Sequence, residues 1–437
     1  MSDRLRRAAV RGIGGPVLVA LALAAAVRAG AVQQGRVSLR TETLVVARAR
    51  SPGRTDGWPV YQFLELWGRQ PGDPFLSAHL SLWGLALGEG VDFRTQDTLG
   101  GDIGLLYLQV QDRHGHYEAR LGRQIISSGP GAAGFGQIDG AWIRGAAGVF
   151  DVEAYGGREV EARFSNLGRY DWLVGGRAGI SRWGRIRSGI SFLHARREGR
   201  VARERLGVDL SLDLPQKVDV VARAAWDGVD PGLADAVAMA RWRGFDRLTL
   251  GAQVLYTSPG RAIDRASLFS VFSLAEQLEV GAVAAYAIDP AWVIGAEYGR
   301  VAFPSATGVG FETLGDRILV YVSTRPLRGL WLRLAVEREP APDNVLYSLR
   351  LGTRYHSVAG WSVSGEAFAE MYEAPPLAKV GAARRSLHLR AFADRQIGRG
   401  LTLGAGLQWG STVLARSDLQ AMVRVTWAAE FTTGGGR

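Results

Sequence analysis

The chain contains no cysteine. That excludes disulfides, thiolate metal sites, covalent haem attachment by this chain and a lipoprotein anchor. Lysine is almost missing too: Lys217 and Lys379 stand alone, and arginine carries the rest of the positive charge. After the first ~31 residues no stretch approaches the roughly 20 apolar residues that a membrane-spanning helix needs. There is no G-x-S-x-G nucleophile motif and no Walker-type glycine loop. Yet 47% of the residues are hydrophobic, while the mean hydropathy is only +0.01. A helical membrane protein would be far more apolar. Strands that alternate apolar and polar side chains hide their apolar half in a neutral average.

The first ~31 residues read as a secretory signal. Arg4, Arg6, Arg7 and Arg11 form a basic start, Val17 to Val27 is an unbroken apolar run, and Ala29-Gly30-Ala31 offers a cleavage site. The expected organisation is therefore a signal peptide over 1–31 and one domain over 32–437. The formal net charge is +10; removing the signal's five arginines and one aspartate leaves +6. These charges alternate with apolar residues instead of clustering, so nucleic acid is not the expected partner.

What the chain does have is period-two alternation. Leu419, Ala421, Val423, Val425, Trp427, Ala429 and Phe431 fall on one face of an extended segment, and Gln420, Met422, Arg424, Thr426, Ala428 and Glu430 on the other. Successive side chains of a strand point to opposite faces, so this segment has one apolar and one largely polar side. Leu401 to Trp409 and Leu387 to Ala393 repeat the pattern, as do Val345 to Tyr355 and Leu206 to Leu212. The apolar faces end in aromatics, as lipid-facing strands do at headgroup level. The fold class this predicts is all-β: a single transmembrane antiparallel β-barrel of about 22 strands (range 18–22), from 37–50 to 419–431.

Connection lengths fit such a barrel. Short turns are expected at His114-Gly115, Trp183-Gly184, Gly244-Phe245-Asp246, Asp289-Pro290, Arg325-Pro326 and Gly360. Longer connections of the other parity are expected at 88–101, 125–134, 158–170, 258–277, 302–312 and 373–383. Within 258–277 the stretch Leu268 to Leu278 is apolar and also fits an extra strand or short helix. The 58 glycines and 13 tryptophans suit tight turns and interfacial belts.

On the polar faces stand the candidate pore-lining residues: Arg40, Glu42, Arg120, Asp209, Arg223, Arg333, Glu337, Arg350, Arg354, Glu366, Arg390, Asp394 and Arg424. Such a set lines a wet interior and can set ion selectivity. The candidate lipid-interface aromatics are Tyr355, Trp361, Trp409, Trp427 and Phe431. No catalytic residue, metal site or cofactor is expected. His114 and His116 in a turn lack a third ligand nearby. Ser386 and His388 share a strand face, as in barrel hydrolases, without an identifiable acid or oxyanion donor.

One segment carries a family resemblance. Tyr117-Glu-Ala-Arg-Leu-Gly-Arg-Gln124, followed by Ile138-Asp-Gly-Ala141, resembles a strand pair of alginate-export-type outer-membrane porins. The resemblance implies a monomeric passive channel for anionic sugars or small solutes, with Arg120 and Arg123 near its wall. Six residues follow Phe431 here, whereas many barrels end on the aromatic.

The expected function is an outer-membrane channel of a Gram-negative bacterium for passive passage of small polar or anionic solutes. Its partners would be outer-membrane lipid and the barrel-assembly and periplasmic chaperone machinery. The spacing leaves no plug domain between the signal and the first strand, and barrels of 22 strands are often plugged. The alternative is therefore the barrel sheath of a porin–cytochrome electron conduit, its lumen filled by a separate multihaem cytochrome.

Overall fold

The computed structural model describes residues 35–51, 59–70, 75–86, 99–127, 135–160, 171–182, 184–262, 276–304, 311–341, 344–374, 384–412 and 417–433. The expected export signal lies outside these residues. Among the described residues twenty-two strands form. The first seven are β1 (Gly35–Ser51), β2 (Val60–Gln70), β3 (Phe75–Ala86), β4 (Leu99–Gln111), β5 (Tyr117–Ser127), β6 (Phe135–Ala147) and β7 (Phe150–Glu159). Then come β8 (Trp172–Arg182), β9 (Ile186–Arg197), β10 (Arg200–Leu214), β11 (Val218–Asp227), β12 (Gly232–Trp242), β13 (Leu248–Thr257) and β14 (Gln277–Ala287). The last eight are β15 (Trp292–Pro304), β16 (Phe311–Leu327), β17 (Leu330–Ala341), β18 (Asn344–His356), β19 (Trp361–Tyr372), β20 (Arg385–Gly398), β21 (Leu401–Ser411) and β22 (Ser417–Thr433).

All strands belong to one sheet, and β1 pairs antiparallel with β22 from Gly35↔Thr433 to Ser51↔Ser417. A sheet whose first strand bonds to its last is closed and has no unpaired edge. Closure lets every ladder N–H and C=O find a partner within the protein, which spanning a hydrocarbon layer requires. Among the described residues no helix is long and apolar enough to cross a membrane.

Two compact units divide the strands. In the first, β20, β21, β22, β1, β2, β3 and β4 follow one another as antiparallel neighbours. In the second, β5 to β17 do the same in chain order. Segments of β18 and β19 belong to each.

Short turns at 112–116, 243–247, 288–291 and 357–360 join strands at the end shared with Gly35 and Thr433, which we call the turn end. The opposite strand ends we call the loop end; the longer connections expected there lie largely outside the described residues. One expected turn is misplaced: Arg325-Pro326 lies inside β16, and the chain reverses at Arg328-Gly329. The ladder is irregular between Thr324 and Leu327, so a proline with no N–H breaks no regular pair there. Gly329, at φ 84°, adopts the left-handed backbone that the reversal requires. Within 258–276 the described residues form one helical turn, α1 (Pro259–Ala262), and Leu278 already belongs to β14. The rest of the expected apolar stretch lies outside the described residues.

Candidate pore wall

Alternation gives each strand an apolar and a charged face. On the apolar face of β20 to β22, Leu389, Leu403, Leu407, Val423, Val425, Trp427 and Phe431 are exposed. In the second unit Leu121, Ile143, Val152, Val174, Ile190, Leu206, Val320 and Val336 are exposed in the same way. Apolar side chains left uncovered along whole strands have no place in water; against lipid they are satisfied. The aromatics close this face at its two ends. Tyr355, Trp361, Trp427 and Phe431 stand at the turn end, where Arg395 lies 5.1 Å from the Trp361 ring centroid. Trp409 stands at the loop end, its Nε1 donating to Ser417 Oγ at 3.2 Å.

The thirteen candidate wall residues all fall on the charged face. In the first unit Arg40 donates to Glu42 at 3.3 Å, Arg390 pairs with Glu366, and Arg424 Nη2 reaches both Asp394 oxygens at 2.8 Å. Arg48, which the sequence reading did not single out, donates Nε to Asp418 at 3.0 Å. In the second unit Arg120 Nε donates to Glu118 at 2.9 Å and the guanidinium lies 4.7 Å from the Trp142 ring centroid. Arg223 stands 3.7 Å from Asp235, and Arg333 lies over Tyr321 at 4.2 Å. On β18, Arg350 and Arg354 alternate with the exposed Leu349, Leu351 and Tyr355.

The Arg424–Asp394 contact shares with two others, made by Arg177 and Arg317, a construction that sequence reasoning missed. Arg177 on β8 forks Asp209 on β10, Nε at 2.9 Å and Nη2 at 2.8 Å, and its Nη1 donates to Asp151 at 2.5 Å. To reach Asp209 it crosses β9 at Gly189, where a Cβ would stand 2.4 Å from the guanidinium. Arg317 on β16 bonds Glu337 on β17 at 2.9 Å and, across Gly299 of β15, Glu279 on β14 at 3.2 Å. A Cβ on Gly299 would come within 2.6 Å of Glu279 Oε1. In the first unit Arg424 crosses Gly404 of β21 to Asp394 on β20, and a Cβ there would meet Asp394 Oδ1 at 2.4 Å. Each is an arginine and an acid on next-nearest strands joined over a glycine saddle. The saddle lays the ion pair flat against the sheet. The available sequence signal was a glycine on the charged face between strands carrying opposite charges.

The charged face is not polar throughout. Ile126, Ile138, Trp142, Tyr155, Leu173, Leu193 and Ala195 form a buried cluster on the charged side of β5 to β9, near the loop end. Simple alternation did not anticipate it.

Arg123 is a correction. The resemblance implied a place near the wall, but its partner in register is Asp139, and both stand on the face of the exposed Leu121 and Ile125. Ser386 and His388 do share the charged face; the His388 ring stacks on Phe368 at 6.4 Å, and Ser386 is buried. His114 and His116 sit with ring centroids 5.6 Å apart. Among the described residues no three metal-ligating side chains group together.

A closed antiparallel barrel with an apolar outer side, aromatic belts and ion-paired inner charges defines the class of transmembrane β-barrels to which outer-membrane porins belong. No family model and no curated protein matches the chain. Solved structures do resemble it in fold. Acinetobacter baumannii OccAB1 is 9% identical, with 91% of this chain and 97% of that one covered and a TM-score of 0.45. Pseudomonas aeruginosa OccD3 (OpdP) is 12% identical, with 92% and 94% covered and a TM-score of 0.42. Pseudomonas aeruginosa OccK9 (OpdG) is 13% identical, with 91% and 98% covered and a TM-score of 0.43.

Proposed function

We propose that this protein is a channel in the outer membrane of a Gram-negative bacterium, passing small polar or anionic solutes passively. One observation carries the reading: the strands bear arginines and carboxylates on the face opposite the exposed apolar one. Those charges need water, and the side away from lipid is the lumen. The thirteen wall residues then line the conduction path. Arg350 and Arg354, on a strand where the charged face is well exposed, are the clearest candidates for contact with a passing anion.

On this reading the partners are outer-membrane lipid and the assembly and chaperone machinery that delivers such barrels. We assign the chain no reaction of its own, and Ser386 and His388 serve as wall residues.

Planar-bilayer recording tests the proposal. Purified protein should give steady conductance, and Arg350→Glu with Arg354→Glu should shift the reversal potential in a KCl gradient toward potassium. A barrel that inserts but never conducts overturns the channel. Co-purifying haem with that closed state supports a filled sheath instead.

A further inference from the structure

The apolar face of β5 to β9 changes character at the loop end. Arg123 on β5 opposes Asp139 on β6, and Asp139 opposes Arg158 on β7. Trp172 on β8 opposes Arg196 on β9. Because Gly157 opposes Leu173, Arg158 and Trp172 are next in the same register. Five positions on five adjacent strands therefore make one row: three guanidinium groups, one carboxylate and one indole. At the ~4.8 Å spacing of neighbouring strands the row is about 20 Å long.

The row is on the lipid side. From it toward the turns, the same face of β5 to β7 carries Ala119, Leu121, Ile143, Phe150, Val152 and Ala154. Charge is expelled from hydrocarbon but tolerated at the interface, so the row marks headgroup level at the loop end. Arg123 forks Asp139 at 2.8 and 2.9 Å, which neutralises the one carboxylate. Arg158 and Arg196 are the surplus; Arg196 lies 5.8 Å from the Trp172 ring centroid.

A second patch repeats the composition on β15 to β17. There Arg300 stands 3.3 Å from Asp316, Tyr298 donates its hydroxyl to Asp316 at 2.8 Å, and Arg338 Nη1 donates to the Asp316 carbonyl at 2.5 Å. It too lies on the apolar face near the loop end, with the exposed Ile318 and Val320 beside it.

We propose that the Arg123–Asp139–Arg158–Trp172–Arg196 row binds the phosphorylated headgroup of an outer-leaflet glycolipid. Arginine's planar fork matches phosphate oxygens. Two surplus charges spread along a row match a headgroup with two separated phosphates better than a single-phosphate lipid. The indole supplies a flat surface for a sugar ring at the same level. The proposal rests on the outer-membrane reading, but its failure is distinguishable: a barrel that conducts normally and ignores phosphorylated glycolipid loses only the binding row.

The test uses the full barrel reconstituted in phosphatidylcholine vesicles doped with one lipid at a time. The lipids are a bisphosphorylated diglucosamine glycolipid, the same glycolipid without phosphates, and phosphatidylglycerol. Lipid retained on the re-extracted protein is counted by mass. The bisphosphorylated form should be retained most. Removing arginines by Arg158→Gln and Arg196→Gln should lower retention about fivefold for each, the effect of one basic residue at a membrane surface. Turn-end Arg185→Gln and Arg328→Gln should leave it unchanged. If the double variant fails to fold, Arg196→Gln alone and its conservative counterpart Arg196→Lys carry the comparison, the lysine keeping most of the retention. Equal retention by wild type and variants, or of the phosphate-free glycolipid or phosphatidylglycerol at the same level, overturns the proposal.

Discussion

The glycine saddle at Gly189 makes a prediction whose sign runs against ordinary strand preference. Glycine in a strand is weaker than valine by roughly 0.5–1 kcal/mol on propensity alone, so Gly189→Val should stabilise β9. The structure says otherwise. A Cβ at this position would stand 2.4–2.6 Å from three atoms of the Arg177 guanidinium, which would have to lift away. Lifting breaks the fork to Asp209, whose side chain is 6% exposed while that of Arg177 is 12% exposed. Hydrogen bonds to charged groups are worth about 1.5–3 kcal/mol, and a carboxylate left buried without its partner adds its own penalty. The expected net loss is about 3 kcal/mol. A double-mutant cycle isolates the cause. In an Arg177→Ala background nothing overhangs the saddle, and Gly189→Val should be neutral or slightly stabilising. The readout is urea unfolding of the barrel in lipid vesicles, followed by tryptophan fluorescence. If the valine costs the same with and without Arg177, the saddle explanation fails.

Other consequences follow from the two faces. Leu407→Arg, on the apolar face, should cost about 2–4 kcal/mol or block assembly, whereas Gln408→Arg next to it should be tolerated; equal effects in a folding titration would remove the assignment of faces. Asp394→Asn should weaken the fork from Arg424 and alter single-channel conductance without abolishing insertion. Trp427→Ala with Phe431→Ala should lower insertion efficiency into vesicles while leaving the conductance of inserted barrels unchanged. Moving the turn glycine, as in Gly329→Val, should destabilise the β16–β17 hairpin by about 1–2 kcal/mol, since a β-branched residue strains at φ 84°.

Much of the fold was legible because its code is local. A strand's two faces follow from successive side chains alone, so Arg424, Asp394 and Glu366 could be set opposite Val423, Ala393 and Val363 without any knowledge of neighbours. Turn positions were legible where a glycine or Asp-Pro pair marked them. They were misread at Arg325-Pro326, where the proline occupies an irregular point of a strand and the glycine two residues after Leu327 makes the reversal. Arg123 is instructive. Alternation with Leu121 and Ile125 puts it on the lipid side, and only the family resemblance pointed to the wall.

By itself, then, the sequence determined which side chains face lipid and which face away, because period two is a property of one extended chain. The tertiary structure decided which charges meet. Arg177 finds Asp209 across Gly189 only when β8, β9 and β10 hold one register, and Arg317 finds Glu279 only across Gly299. The row of arginines at the loop end is likewise a property of register, since its members lie on five strands and far apart in the chain. Register is fixed by the pairing of whole strands, and no single segment contains it.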